Sequence, residues 1–70
     1  MEAWKIRWLR QRLALTQEKF AQRLGVSFSS VNRWENGKKL SALAIKQIER
    51  VAVEAGINLA KMPPPRIRKN

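Results

Sequence analysis

An all-α domain of four to five short helices is the fold the sequence predicts, and three observations carry it. Glycine occurs only at positions 25, 37 and 56 and proline only at 63, 64 and 65, so the first sixty residues hold almost nothing that interrupts helices except three single Gly stops. Three times an apolar residue precedes Ser or Thr and a second apolar residue follows four positions after that cap: Leu15-Thr16 with Phe20, Val26-Ser27 with Val31, and Leu40-Ser41 with Ile45. Each is a hydrophobic staple around an N-cap, in which the hydroxyl accepts an orphan N–H of the first turn while the two apolar groups close over it. Finally, 70 residues, 44% of them apolar, allow one small core and no second domain. A core this small is marginal alone, which makes dimerisation an expectation from the start.

The elements follow in order. Helix one is expected from about Glu2 to Leu13, with Ile6, Leu9 and Leu13 as its buried stripe. Helix two then runs over Gln17 to Leu24, and Gly25 takes the left-handed position that ends it. Helix three spans about Phe28 to Asn36 after a very tight connection, and helix four about Ala42 to Ala55, closed by Gly56. On helix four Ala44, Ile45, Ile48, Val51, Ala52 and Ala55 share one side. Trp4 and Trp8 stand off the stripe of helix one; they either complete the core or form a second apolar patch with Val53, Ile57 or Leu59. The domain is thus expected over 1–59, followed at 60–70 by a basic, proline-rich tail, read either as a solubilising end or as an arm for nucleic acid or a partner.

Fifteen Lys and Arg against five acids give a net charge of +10, far beyond what solubility requires, and point to a polyanionic partner. With no Cys and no His, thiol chemistry, disulfides, the usual zinc ligands and the common proton shuttle are all excluded. The five carboxylates, Glu2, Glu18, Glu35, Glu49 and Glu54, form no pair beside a plausible nucleophile, so no enzyme, metal or cofactor is expected. The start MEAWKIRW has no signal-peptide apolar run, and no stretch approaches the roughly 20 apolar residues of a spanning helix. The expected location is the cytoplasm, on the nucleoid, with no membrane partner.

Chemistry concentrates in QEKFAQRLGVSFSSVNRW, residues 17–34. Ala21 is small where two helices must touch, Gly25 makes the turn, and Phe20, Leu24, Val26, Val31 and Trp34 fill the angle, which defines a helix-turn-helix. At about 100° per residue, Val31 and Trp34 face inward while Ser29, Asn32, Arg33 and Asn36 face outward, with no acid among them. Arg presents a fork to guanine, Asn pairs with adenine and Ser meets several base edges, so this face suits the major groove of double-stranded DNA. RNA is disfavoured because no exposed stacking aromatics accompany that face. Two readings of Phe28 stay open: contact with a thymine methyl group, or packing under helix two. Glu35 falls within about 40° of Val31 on the inward side, and Arg10 falls beside the stripe of helix one, so a structural ion pair between them is expected.

These residues resemble the Cro/phage-repressor type of helix-turn-helix domain, the XRE family, most specifically over LTQEKFAQRLGVSFSSVNRWENGK, residues 15–38, and more loosely over about 55 residues from helix one through helix four. The resemblance implies a lambda-repressor-like fold, a transcriptional repressor, and a homodimer on DNA. It implies that Phe28, Ser29 and Arg33 read bases, with Asn32 added from the outward face described above, and that Gln17, Asn36 and Lys38, with Thr16 and Lys39 beside them, hold phosphates. Arg10 and Glu35 match a buried ion pair of that family. The chain departs from many phage repressors where INLAKMPPP leaves little room for a fifth helix to dimerise through. Short proteins of this kind also occur as antitoxins that repress their own operon, so a toxin partner stands as the alternative reading.

Overall fold

The computed structural model describes residues 1–61. All of its regular structure is helical: α1 (Ala3–Arg12), α2 (Gln17–Leu24), α3 (Phe28–Glu35), α4 (Ala42–Glu54) and a 3₁₀ turn, Leu59–Lys61. The fold is the all-α, lambda-repressor-like arrangement that the sequence predicts. From position 62 onward, the expected tail lies outside the described residues.

Three helix starts form where hydroxyls stand. Thr16 Oγ1 accepts from Lys19 N at 3.1 Å, Ser27 Oγ from Ser30 N at 3.2 Å and Ser41 Oγ from Ala44 N at 3.1 Å. Each hydroxyl satisfies one first-turn amide that has no partner within its helix. In each staple one apolar member is buried and the other partly buried in a single core cluster: Phe20 with Leu15, Val31 with Val26, Leu40 with Ile45. α1 starts differently, after Glu2 in extended conformation with no side-chain cap.

All four α-helices end alike. The residue after the terminal turn has positive φ, its N–H bonds back three positions, and the next N–H bonds back five. Ala14 and Leu15 do this for α1 (to Gln11 O at 2.9 Å and Arg10 O at 3.1 Å), and Gly25 and Val26 for α2 (to Gln22 O at 3.2 Å and Ala21 O at 3.0 Å). Gly37 with Lys38, and Gly56 with Ile57, repeat the pattern for α3 and α4. At three ends glycine takes the left-handed angle without cost, but at the first Ala14 adopts φ 58°.

Ile6, Leu9, Phe20, Val31 and Ile48 are fully buried and hold the four helices around one centre. The helix-four stripe divides: Ala44, Ile48, Val51 and Ala52 are buried and Ile45 is partly buried, while Ala55 lies exposed because α4 stops just before it. Trp8, Ile57 and Leu59 pack on the core; Val53, 73% exposed, lines one surface hollow with Ile57 and Leu59, and neither Trp4 nor Trp8 takes part in it. Trp4 stands outside the cluster; its Nε1 donates to Glu2 Oε2 at 3.3 Å and Lys5 Nζ lies 5.7 Å from its ring centroid. Leu13, the end of the expected helix-one stripe, is only partly buried because it caps α1 instead of continuing it.

Candidate nucleic-acid interface

The turn between α2 and α3 is two residues of main chain, Gly25 and Val26, before the Ser27 cap. Ala21, 2% exposed, lets the two helices approach, and Phe20, Leu24 and Val31 lock the angle between them. With its inner side fixed in this way, α3 must turn its other side to solvent.

On that side Ser29, Asn32 and Arg33 are exposed, as is Asn36 just beyond the helix. Phe28 is 49% exposed at the helix start, so it lies open and not packed beneath α2. Ser30 is turned partly inward, with its Oγ 3.0 Å from Ser27 Oγ. Arg33, half-buried Trp34, Lys38 and Lys39 line a shallow hollow at the far end of α3. The surface therefore offers a guanidinium fork, an amide and a hydroxyl, flanked by ammonium groups and clear of carboxylates. With its side chains an α-helix is about 10 to 12 Å across, which a major groove about 12 Å wide admits.

Beneath this surface Glu35 is 4% exposed, yet none of its polar atoms is orphaned. Arg10 Nε donates to Glu35 Oε2 at 2.6 Å and Arg10 Nη2 to Oε1 at 3.1 Å, while Arg10 Nη1 donates to Leu15 O at 3.0 Å. Gln17 Nε2 donates to Glu35 Oε1 at 3.1 Å. Arg7 joins from one turn earlier on α1, with Nη2 donating to the main-chain carbonyl of Glu35 at 3.0 Å and Nε 3.7 Å from Oε1. The Glu35 carboxylate thus ties α1 and the first residue of α2 to the last residue of α3, and Arg10 adds the loop after α1 through Leu15 O.

The other residues singled out from the sequence are placed as follows. Thr16 uses its oxygen as the α2 cap, leaving its O–H free to donate outward. Gln17 spends one amide proton on Glu35 and keeps a second. Asn36 donates from Nδ2 to Asn32 O at 2.7 Å and approaches Asn32 Oδ1 at 3.5 Å, so its side chain closes the end of α3. Lys38 and Lys39 are exposed after Gly37. Sequence reasoning missed Arg7 and the inward bond of Gln17; the one available signal is that Arg7 stands three residues before Arg10, on the same helix face.

A helix-turn-helix family model matches residues 6–57. The chain belongs to that family, the Cro/phage-repressor type also called XRE. Membership makes it a DNA-binding helix-turn-helix regulator. Neither the curated proteins nor the solved structures contain a match. Among the described residues no helix is long and apolar enough to cross a membrane.

Proposed function

We propose that this protein is a sequence-specific transcriptional repressor that inserts α3 into the major groove of double-stranded DNA. The observation that carries the reading is the exposed, acid-free face of α3 in a chain of net charge +10. On this reading Arg33 addresses guanine, Asn32 adenine, Ser29 an adjacent base edge and Phe28 a thymine methyl group. Thr16 and Gln17 at the start of α2, and Asn36, Lys38 and Lys39 beyond α3, hold the phosphates that fix register. Gln17 can serve both sides, since one amide proton goes to Glu35 and the other is free.

The protein binds as a homodimer on two half-sites about one helical turn apart. A bound dimer overlapping a promoter blocks polymerase, which makes repression the simplest consequence of occupancy. Selection from randomised duplexes tests this directly. A symmetrical enriched motif is expected, and a reporter carrying it across a promoter should lose transcription. An absence of any enriched motif, or equal affinity for duplex RNA, overturns the proposal.

A further inference from the structure

We propose that Arg7 is a positioning residue for DNA recognition, a clamp from α1 that fixes the end of α3 carrying Asn32 and Arg33. The inference rests on α3 being the DNA-reading helix and adds a residue outside the DNA-facing set.

The last four carbonyls of a helix have no partner inside it, so each must be accounted for. In α3, Asn32 O accepts from Asn36 N and Asn36 Nδ2, Arg33 O from Lys38 N, and Trp34 O from Gly37 N. These partners come from the chain immediately following the helix and move with it. Glu35 O accepts from Arg7 Nη2 at 3.0 Å, twenty-eight residues away on another helix. Arg7 is thus the group that joins the main chain at this end of α3 to the body of the domain, and its charge suits the negative end of the helix.

The two ends of α3 are held by different means. Its start is set by the Gly25 turn and the Ser27 cap, its end by Glu35. Around Glu35 the two arginines do different work in part: Arg10, with a side chain 17% exposed, makes two hydrogen bonds to the carboxylate, while Arg7, 53% exposed, stands 3.7 Å from Oε1 and is the one that donates to the main-chain carbonyl. Removing Arg7 leaves the Arg10 pair and the core in place, so the domain stays folded. What loosens is the terminal turn, and Asn32 and Arg33 sit in that turn. A base-reading fork requires a fixed angle, whereas phosphate attraction tolerates small movements.

Arg7→Met, Arg7→Lys and wild type are to be compared on the duplex selected by the wild-type protein and on a random duplex across a salt series. For Arg7→Met, affinity for the selected duplex should fall about fivefold, the scale of one partly exposed charge-assisted hydrogen bond, with the random duplex and the salt slope unchanged. Arg7→Lys, which keeps a donor and the charge, should recover most of the loss. Amide exchange at Asn36, Gly37 and Lys38 should accelerate in Arg7→Met while α2 is unaffected. Equal losses on both duplexes, with the slope reduced by about 0.9, would make Arg7 a phosphate contact and overturn the clamp. Unchanged exchange or unchanged discrimination overturns it too. Should wild type prefer no duplex at all, the DNA-reading function fails, and the exchange comparison by itself decides whether Arg7 holds α3.

Discussion

Arg10 grips Glu35 through two parallel bonds, Nε to Oε2 at 2.6 Å and Nη2 to Oε1 at 3.1 Å, and so joins the first helix of the domain to the last residue of the exposed one. The carboxylate is 3% exposed and the guanidinium side chain 17%. A pair so placed contributes less through its Coulomb attraction than through what its loss leaves behind, an uncompensated buried charge.

Arg10→Met should therefore destabilise the fold by about 3 to 5 kcal/mol, while Arg12→Met, at an exposed position, should stay within about 0.5 kcal/mol. Urea unfolding followed by tryptophan fluorescence measures both. The double variant Arg10→Met with Glu35→Leu should regain much of the loss, because no charge is then stranded in the core. A loss for Arg12→Met as large as that for Arg10→Met would remove the ion pair from its structural role.

The Schellman-type end of α1 yields a gain instead of a loss. Ala14 carries φ 58°, a conformation that costs an L-residue roughly 1 kcal/mol, and glycine holds the matching place at the other three α-helix ends. Ala14→Gly should stabilise by about 0.5 kcal/mol after the extra unfolded-state freedom of glycine is subtracted. Thermal unfolding should show a rise of a few degrees for a domain of this size. A lower midpoint would mean that the methyl group contributes packing that outweighs the backbone strain.

The same contrast shows what could be read from residues alone. Three helix starts are written twice, once as a hydroxyl and once as an apolar pair, and both signals are local. The end of α1 carries no such mark, since alanine gives no hint of a left-handed angle, and the 3₁₀ turn at Leu59–Lys61 has no periodicity to announce it. In the site, Arg10 and Glu35 can be matched because each is a charge on an apolar stripe and needs a partner. Arg7 is nearly hidden for the opposite reason: its spacing from Arg10 puts it on the same helix face, but the group it bonds is a main-chain carbonyl, and carbonyls have no residue identity. Gln17 has the same ambiguity, as an amide at a helix start can point to an anion outside or to Glu35 within.

The Ser27 cap separates folding from reading. Its hydroxyl holds Ser30 N at 3.2 Å, so Ser27→Ala should cost about 1 kcal/mol of stability. Ser29→Ala, at the exposed second residue of α3, should leave stability within about 0.5 kcal/mol. Denaturant midpoints check the pair, and similar costs for both would mean that the exposed serine also has a structural partner.

Base reading and phosphate holding should separate in one experiment on Arg33 and Lys38. Both are exposed and both border the hollow beside Trp34, so general loss of positive charge is the same in either alanine variant. Arg33 projects from the last turn of α3, where a planar fork can meet guanine O6 and N7 at once; its loss should cost about 1 to 3 kcal/mol on the selected duplex and relax preference at one base position. Lys38 follows Gly37 outside the helix and presents a point charge, so Lys38→Ala should weaken every duplex alike and lower the salt slope by about 0.9. Titrations on selected and random duplexes at several salt concentrations resolve the two. Equal losses on both duplexes for Arg33→Ala would place that guanidinium on the backbone and leave Asn32 and Ser29 as the polar side chains of α3 that address bases.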